Sequence, residues 1–279
     1  MIKTRFAPSP SGLLHLGHAY AAKVAYDLAR ERGGRFLLRF EDIDSTRVRE
    51  EYYAAIEEDL RWLGIAWDDE ILRQSDRLTP YNESLTRLQT AGTVYPCFCT
   101  RREIEEEIAR MASAPHGPEG PLYPGTCRNM NPDERSRRIA EGEIPAWRLD
   151  ATAAAKHAGP LGFHDMRFGE QAVDPDLLGD VILARKDIGT SYHLAVVIDD
   201  AMQEITHVTR GEDLLPSTHV HRLLQALLDL PQPTYLHHPL ITDDRGRRLA
   251  TRDKDRSIQT LREAGSMPGE LFASFPQAI

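Results

Sequence analysis

Long apolar runs are missing from this 279-residue chain, and with them any candidate membrane span or secretory leader. Cysteine is scarce: an odd total of 3 does not suggest a disulfide framework and fits a reducing cytosol. A basic excess is missing too. With 43 acidic residues against 34 basic ones the net charge is −9, which argues against blanket attraction to a polyanion. A nucleic-acid partner must then be met by local patches. Arg101–Arg102 and the trio Arg135, Arg137 and Arg138 read as solvated faces, whereas Arg245, Arg247, Arg248, Arg252, Lys254 and Arg256 form the densest cluster. Neither G-x-x-x-x-G-K-[ST] nor G-x-G-x-x-G occurs, which removes two common phosphate-binding loops.

What remains is an α/β rhythm. Residues 2–7 read as a strand, a helical pattern runs from Gly17 to a stop at Gly33–Gly34, and RFLLRF (35–40) is an unbroken apolar run of buried parallel-strand type. Ile56, Leu60 and Leu63 mark a second helix, closed by Gly64. Alternation of this kind predicts a sheet with crossover connections. From residue 97 the rhythm is broken by a stretch rich in Cys, Pro and Gly, so 97–184 is expected to be an insertion. The rhythm is expected to resume with DVILAR (180–185) and EITHVTR (204–210), then a helix from Ser217 to Pro231. Trp62, Trp67 and Trp147 read as packing residues, and His237–His238 as part of a strand.

The stretch RFAPSPSGLLHLGH (5–18) puts a Pro/Gly turn between a strand and a helix start, where free N–H groups and the helix dipole make an anion site. His15 and His18, three apart, can both reach a phosphate, and Gly17 leaves room for a flat ring to approach the backbone. Read alone, the same residues could be a turn with a helix-capping histidine.

The surroundings decide. FAPSPSGLLHLGH resembles the HIGH motif of class I aminoacyl-tRNA synthetases, in the glutamyl and glutaminyl branch. RFEDIDSTR (39–47), SYHLAVVIDD (191–200) with HVTRGEDLL (207–215), and RRLATRD (247–253) resemble that branch's second-strand, pocket and KMSKS segments, in order. The resemblance implies a Rossmann-type catalytic domain over 1–96 and 185–245, an acceptor-side zinc subdomain over 97–184, and a KMSKS-like loop with a short helical end over 246–279. The chain stops just past the KMSKS position, so no anticodon-binding domain is expected. It is most similar to a truncated branch that activates L-glutamate with ATP and Mg²⁺ without tRNA, then attaches it to the queuosine base in the anticodon of tRNA(Asp). A cytoplasmic monomer is expected.

By this resemblance Arg5, Phe6, Ala7, Pro8 and Ser9 line the glutamate site, completed by Glu41, Tyr192 and Arg210. Glutamate has two carboxylates and one ammonium, which suits guanidinium forks and an opposing acid. His15, Gly17, His18 and Thr251 would meet ATP, with His15, His18, Arg248, Thr251 and Arg252 catalytic. Asp42 and Asp44 are expected to be structural or acceptor-strand contacts. The loop departs from its family: K-[ML]-S-K-[SRQ] becomes Arg248-Leu249-Ala250-Thr251-Arg252, so threonine replaces the second lysine. Losing such a contact costs on the order of 10²–10³ in rate, and Arg248, Arg252 or Lys254 could compensate. For zinc, the family pattern C-x-C…Y-x-x-x-C matches Cys97, Cys99, Tyr123 and Cys127, with His116 in reserve as fourth ligand. Two rivals stay open: charging of a tRNA 3′ end, and a non-catalytic glutamate- or tRNA-binding paralog, to which Ala250 and Thr251 lend support.

Overall fold

The computed structural model describes residues 1–111, 116–118, 120–241 and 257–279. Strand β1 (Lys3–Phe6), helix α1 (Leu16–Arg30), strand β2 (Arg35–Phe40), helix α2 (Glu50–Trp62) and strand β3 (Leu72–Arg73) open the chain. The three strands lie parallel in the order β1-β2-β3. The alanine-rich face of α1 (Ala19, Ala22, Ala25, Ala29) is fully buried and lets the helix close on β1, where the Thr4 hydroxyl donates to Ala25 O at 2.7 Å. The turn out of α1 admits glycine only, since a Cβ on Gly34 would stand 2.3 Å from the Ile2 carbonyl oxygen.

Next come α3 (Leu78–Thr90), β4 (Val94–Cys97), α4 (Arg101–Arg110), the short pair β5 (His116–Gly117) and β6 (Gly120–Pro121), α5 (Pro132–Ala140), β7 (Ala146–Leu149), α6 (Ala151–Ala158), β8 (Gly162–Asp165), β9 (Gly169–Ala172) and β10 (Ile182–Ala184). The described chain closes with α7 (Tyr192–Met202), β11 (His207–Gly211), α8 (Leu215–Leu227), β12 (Thr234–His238), α9 (Ile258–Glu263) and α10 (Pro268–Ala273).

Strand pairing cuts across the boundaries expected at 97 and 184. DVILAR does not resume the parallel sheet: β10 pairs antiparallel with β7, which pairs antiparallel with β4. Conversely β8, inside the expected insertion, runs parallel to β12 in a sheet ordered β11-β12-β8-β9. The cause is visible in the residues. GFHD buries only alternate side chains and so has no continuous apolar run, whereas the apolar ILA of β10 is buried beneath α7 rather than inside a parallel sheet. The β1-β2-β3 sheet and the mixed β11-β12-β8-β9 sheet meet where Thr206 N–H donates to Lys3 O at 3.0 Å. Trp62 and Trp67 pack on the core around Ile56 and Leu60, and Trp147 on that around Leu183 and Leu194.

Asp59, on the buried face of α2, has neither carboxylate oxygen hydrogen-bonded, and the Arg262 guanidinium stays 3.7 Å away. Burial pushes its carboxyl up to about 6, against the pull of Arg262. With the folded value above the unfolded one of about 3.9, the folded state holds the proton more tightly. Stability from this group is therefore lost as pH rises from about 4 through about 6. Asp59→Asn is expected to raise the melting temperature at pH 8 and to do little at pH 4; equal shifts at both would refute it.

Candidate active site

One cleft of about 240 Å³ opens at the carboxyl ends of β1, β2, β11 and β12, beside the N-termini of α1 and α7. It gathers Arg5, Phe6, Ala7, Pro8, Ser9, His15, Gly17, His18, Glu41, Tyr192 and Arg210, which arrive from five elements and their loops. This is where open parallel sheets bind ligands.

At its inner end the two arginines differ. Arg5 is neutralised by Asp200: Nε and Nη2 donate to its two oxygens at 2.9 and 3.2 Å, and Nη1 to Thr209 O. The fully buried Arg39 donates to the same carboxylate at 2.8 Å and reaches toward Glu41 at 3.5 Å. Arg210 is 6% exposed, yet all its partners are neutral: Tyr192 Oη, His221 Nδ1, Thr218 Oγ1 and His237 Nε2. Among the described residues no carboxylate lies within ion-pair distance of it. Glu41 lines the same wall, with burial pushing its carboxyl up and Arg39 and Arg5 pulling it down. The inner end thus offers an uncommitted cationic charge and an acidic group, the complement of a zwitterion bearing an extra anion.

At the outer end stands His15. It caps α1, its Nδ1 accepting from Gly17 N–H at 3.1 Å, while His18 Nδ1 accepts from His15 N–H at 3.3 Å. Both rings stack at 3.8 Å. With Nδ1 accepting, a neutral ring carries its proton on Nε2, the donor form a phosphate oxygen wants. A Cβ on Gly17 would stand 2.9 Å from His15 Cε1, so a larger residue there would push the capping ring aside. Arg248, Thr251 and Arg252, with the rest of 242–256, lie outside the described residues. The flanking residues border the cleft, since Ile241 lines it and Ser257 bridges to His15, with Ile258 N–H donating to Leu14 O at 2.8 Å.

Away from the cleft, Cys97, Cys99 and Cys127 place their sulfurs within 4.8 Å of one another. Tyr123 Oη stands 3.4 Å from Cys97 Sγ and 3.5 Å from Cys99 Sγ. A tetrahedral zinc with Zn–S bonds of about 2.3 Å spaces its sulfurs about 3.8 Å apart, so the donor set fits such an ion. The Arg148 guanidinium packs 3.8 Å above the centre of the Tyr123 ring. The side chain of His116 lies outside what the structure describes. Asp42 is structural, bonded to Tyr53 Oη and Ser75, and Asp44 bonds Thr46 and Arg185. Arg137 and Arg138 are tied to Glu134, Glu141 and Glu143 on an exposed face.

Sequence reasoning missed Asp200, Arg39, Asp165, Thr218, His221 and His237. A signal existed for Asp200: two acids close the otherwise apolar LAVVIDD, and both are buried. None existed for Asp165 and His237, which are 72 residues apart and meet only through the β8–β12 pairing.

Residues 1–276 match the family model of the catalytic domain of class I tRNA synthetases, E and Q. The chain is 49% identical over 278 residues to the glutamyl-Q tRNA(Asp) synthetase of Rhodobacter capsulatus, covering 96% of this chain and 97% of that protein. It is 40% identical to the glutamate–tRNA ligase of Aquifex aeolicus, but spans 56% of that protein's length. Among solved structures it resembles a glutamate tRNA ligase from Elizabethkingia meningosepticum in complex with its amino acid (TM-score 0.75, 29% identity), covering 91% of this chain and 52% of that one.

Proposed function

This chain belongs to the class I tRNA synthetases of the E and Q branch and is a ligase of the aminoacyl-tRNA synthetase type, and from that premise we propose that it activates L-glutamate with ATP and transfers it to the queuosine base of the tRNA(Asp) anticodon. The observation that carries the glutamate assignment is Arg210, a buried guanidinium bonded to neutral groups only, facing the cleft that Glu41 also lines. Four of its five N–H donors are used, leaving one on Nη2 for the side-chain carboxylate. Glu41 then receives the ammonium, which orients the α-carboxylate toward His15 and His18. An oxygen of that carboxylate attacks the α-phosphorus of ATP; the bond to pyrophosphate breaks, and pyrophosphate leaves. Mg²⁺ with the nucleotide offsets phosphate charge. The chain's own part is positioning and fixed electrostatics. In the second step the acceptor nucleotide takes the acyl carbon and AMP leaves. Support for the acceptor comes from the Rhodobacter capsulatus protein named glutamyl-Q tRNA(Asp) synthetase, which is 49% identical and matched over 97% of its length.

The test is glutamate-dependent ATP–pyrophosphate exchange without tRNA, followed by transfer of labelled glutamate to tRNA(Asp) with and without queuosine. Exchange plus queuosine-dependent labelling supports the reading. Labelling that survives without queuosine and is lost on periodate treatment of the 3′ end would replace it with 3′ charging.

We assign Cys97, Cys99, Tyr123 and Cys127 to one structural zinc. Purified protein is expected to carry about one zinc per chain by mass spectrometry. Cys127→Ser is expected to drop that content severalfold and lower the melting temperature; full zinc retention in the variant would remove Cys127 from the site.

A further inference from the structure

We propose that His221 and the Asp165–His237 pair are positioning residues for Arg210, holding its guanidinium through neutral acceptors so that its charge is kept for a substrate carboxylate. The proposal rests on the reading of Arg210 as the contact to the glutamate side chain.

The hydrogen bonds fix both rings. Arg210 can only donate, so His221 Nδ1, at 3.0 Å from Nη1, is an acceptor. Its proton therefore sits on Nε2, which donates to His193 Nδ1 at 3.2 Å. On the other side His237 Nδ1 is 2.6 Å from Asp165 Oδ2, and a carboxylate takes an N–H, so Nε2 keeps its lone pair for Arg210 Nε at 3.2 Å. Asp165 is in turn held by the backbone N–H groups of Arg167 and Phe168 at 2.9 Å and is fully buried. The chain Asp165–His237–Arg210 thus sets the tautomer of the middle ring as a second-layer carboxylate sets that of a metal-bound histidine. A carboxylate in direct contact would orient Arg210 too, but would occupy the charge that selects the substrate. Neutral acceptors orient without competing. A neutral carboxamide would leave this buried charge without a counter-anion, which disfavours it.

The arrangement needs both rings unprotonated, because a proton on either accepting nitrogen would point an N–H at the guanidinium. The surroundings enforce this. His221 faces Arg210, Arg5, His193, Tyr192 and His237; His237 faces Arg210, Thr218, His238, Asp165 and Arg167. Burial, and then the cations, push His221 well below the usual histidine range, and burial brings His237 down to about 4 despite Asp165.

The experiment measures KM for glutamate and for ATP, with kcat, in the exchange assay for wild type, His221→Leu, His221→Asn and Asp165→Asn. The asparagine at 221 can still present an acceptor oxygen where Nδ1 was. His221→Leu is expected to raise glutamate KM at least tenfold with ATP KM and kcat within about threefold, and His221→Asn to recover most of it. Asp165→Asn, which frees the tautomer of His237, is expected to move glutamate KM in the same direction. Unchanged glutamate KM in His221→Leu, or an equal rise in both KM values, overturns the proposal. Arg210→Ala in the same assay separates the two levels. If it raises glutamate KM and His221→Leu does not, only the positioning role has failed; if it changes nothing, the glutamate reading has failed as well. Should His221→Leu not fold, the wild type decides: glutamate KM flat between about pH 6 and 9 supports neutral rings, and an inflection near the ordinary histidine value of about 6.5 overturns them.

Discussion

Arg210→Ala is expected to lower kcat/KM for glutamate in the exchange assay by about 10³-fold or more while leaving the KM for ATP within a fewfold. Removing one member of a buried charge pair costs about 2–5 kcal/mol or more, and a factor of ten corresponds to about 1.4 kcal/mol. Here the loss is pushed to the upper part of that range by the cage. Without the guanidinium, Tyr192 Oη, His221 Nδ1 and Thr218 Oγ1 lose their donor at once and His237 Nε2 keeps only the Thr218 hydroxyl at 3.0 Å, while the substrate carboxylate must be buried unpaired. Arg210→Lys is expected to recover little. A single ammonium cannot span acceptors that approach from Nε, Nη1 and Nη2. Arg5→Ala should look different. Because Arg5 is neutralised by Asp200, its removal disturbs the fold as well as the site, so melting temperature and glutamate KM should move together. An Arg210→Ala enzyme with unchanged glutamate KM would end the assignment of the cleft to glutamate.

How much of this was legible depends on whether the information is local. The parallel pair β1–β2 was readable because RFLLRF is continuously apolar, and the N-terminus of α1 because a turn and two histidines precede an alanine-rich face. The convergence of Arg5, Glu41, Tyr192 and Arg210 followed from strand ends and motif order. Strand β8 was illegible because a strand buried on one face by two residues looks like a loop. Its misplacement hid Asp165, and with it the reason His237 is a hydrogen-bond acceptor. Arg5 and Arg210 looked equivalent in sequence because the difference lies in Asp200, 195 residues from one and absent from the other's contacts. Distances along the chain carry no trace of which guanidinium already has its anion.

Asp200→Ala is expected to destabilise the protein by about 3–5 kcal/mol, the cost of stranding a buried partner charge, which for a chain of this size lowers the melting temperature by about 5–9 °C. Asp200 is 6% exposed and takes Nε and Nη2 of Arg5 at 2.9 and 3.2 Å and Nη1 of Arg39 at 2.8 Å. After its removal Arg39, with no exposure, keeps only Gln203 at 3.0 Å and Glu41 at 3.5 Å. Glu41 cannot serve both Arg39 and a substrate ammonium, so glutamate KM should rise along with the loss of stability. The pH dependence gives an independent reading. Burial alone would raise the Asp200 carboxyl, but Arg5 and Arg39 outweigh it and hold it below the usual carboxylate range. A folded value below the unfolded one of about 3.9 means that its contribution is present above about pH 4 and is lost as pH falls through the folded value. Wild type should therefore approach the variant's melting temperature in acid, with the gap largest near neutrality. A gap that stays constant down to about pH 3, or a variant melting within 2 °C of wild type at pH 7, would show that Arg5 and Arg39 are held by something other than this carboxylate.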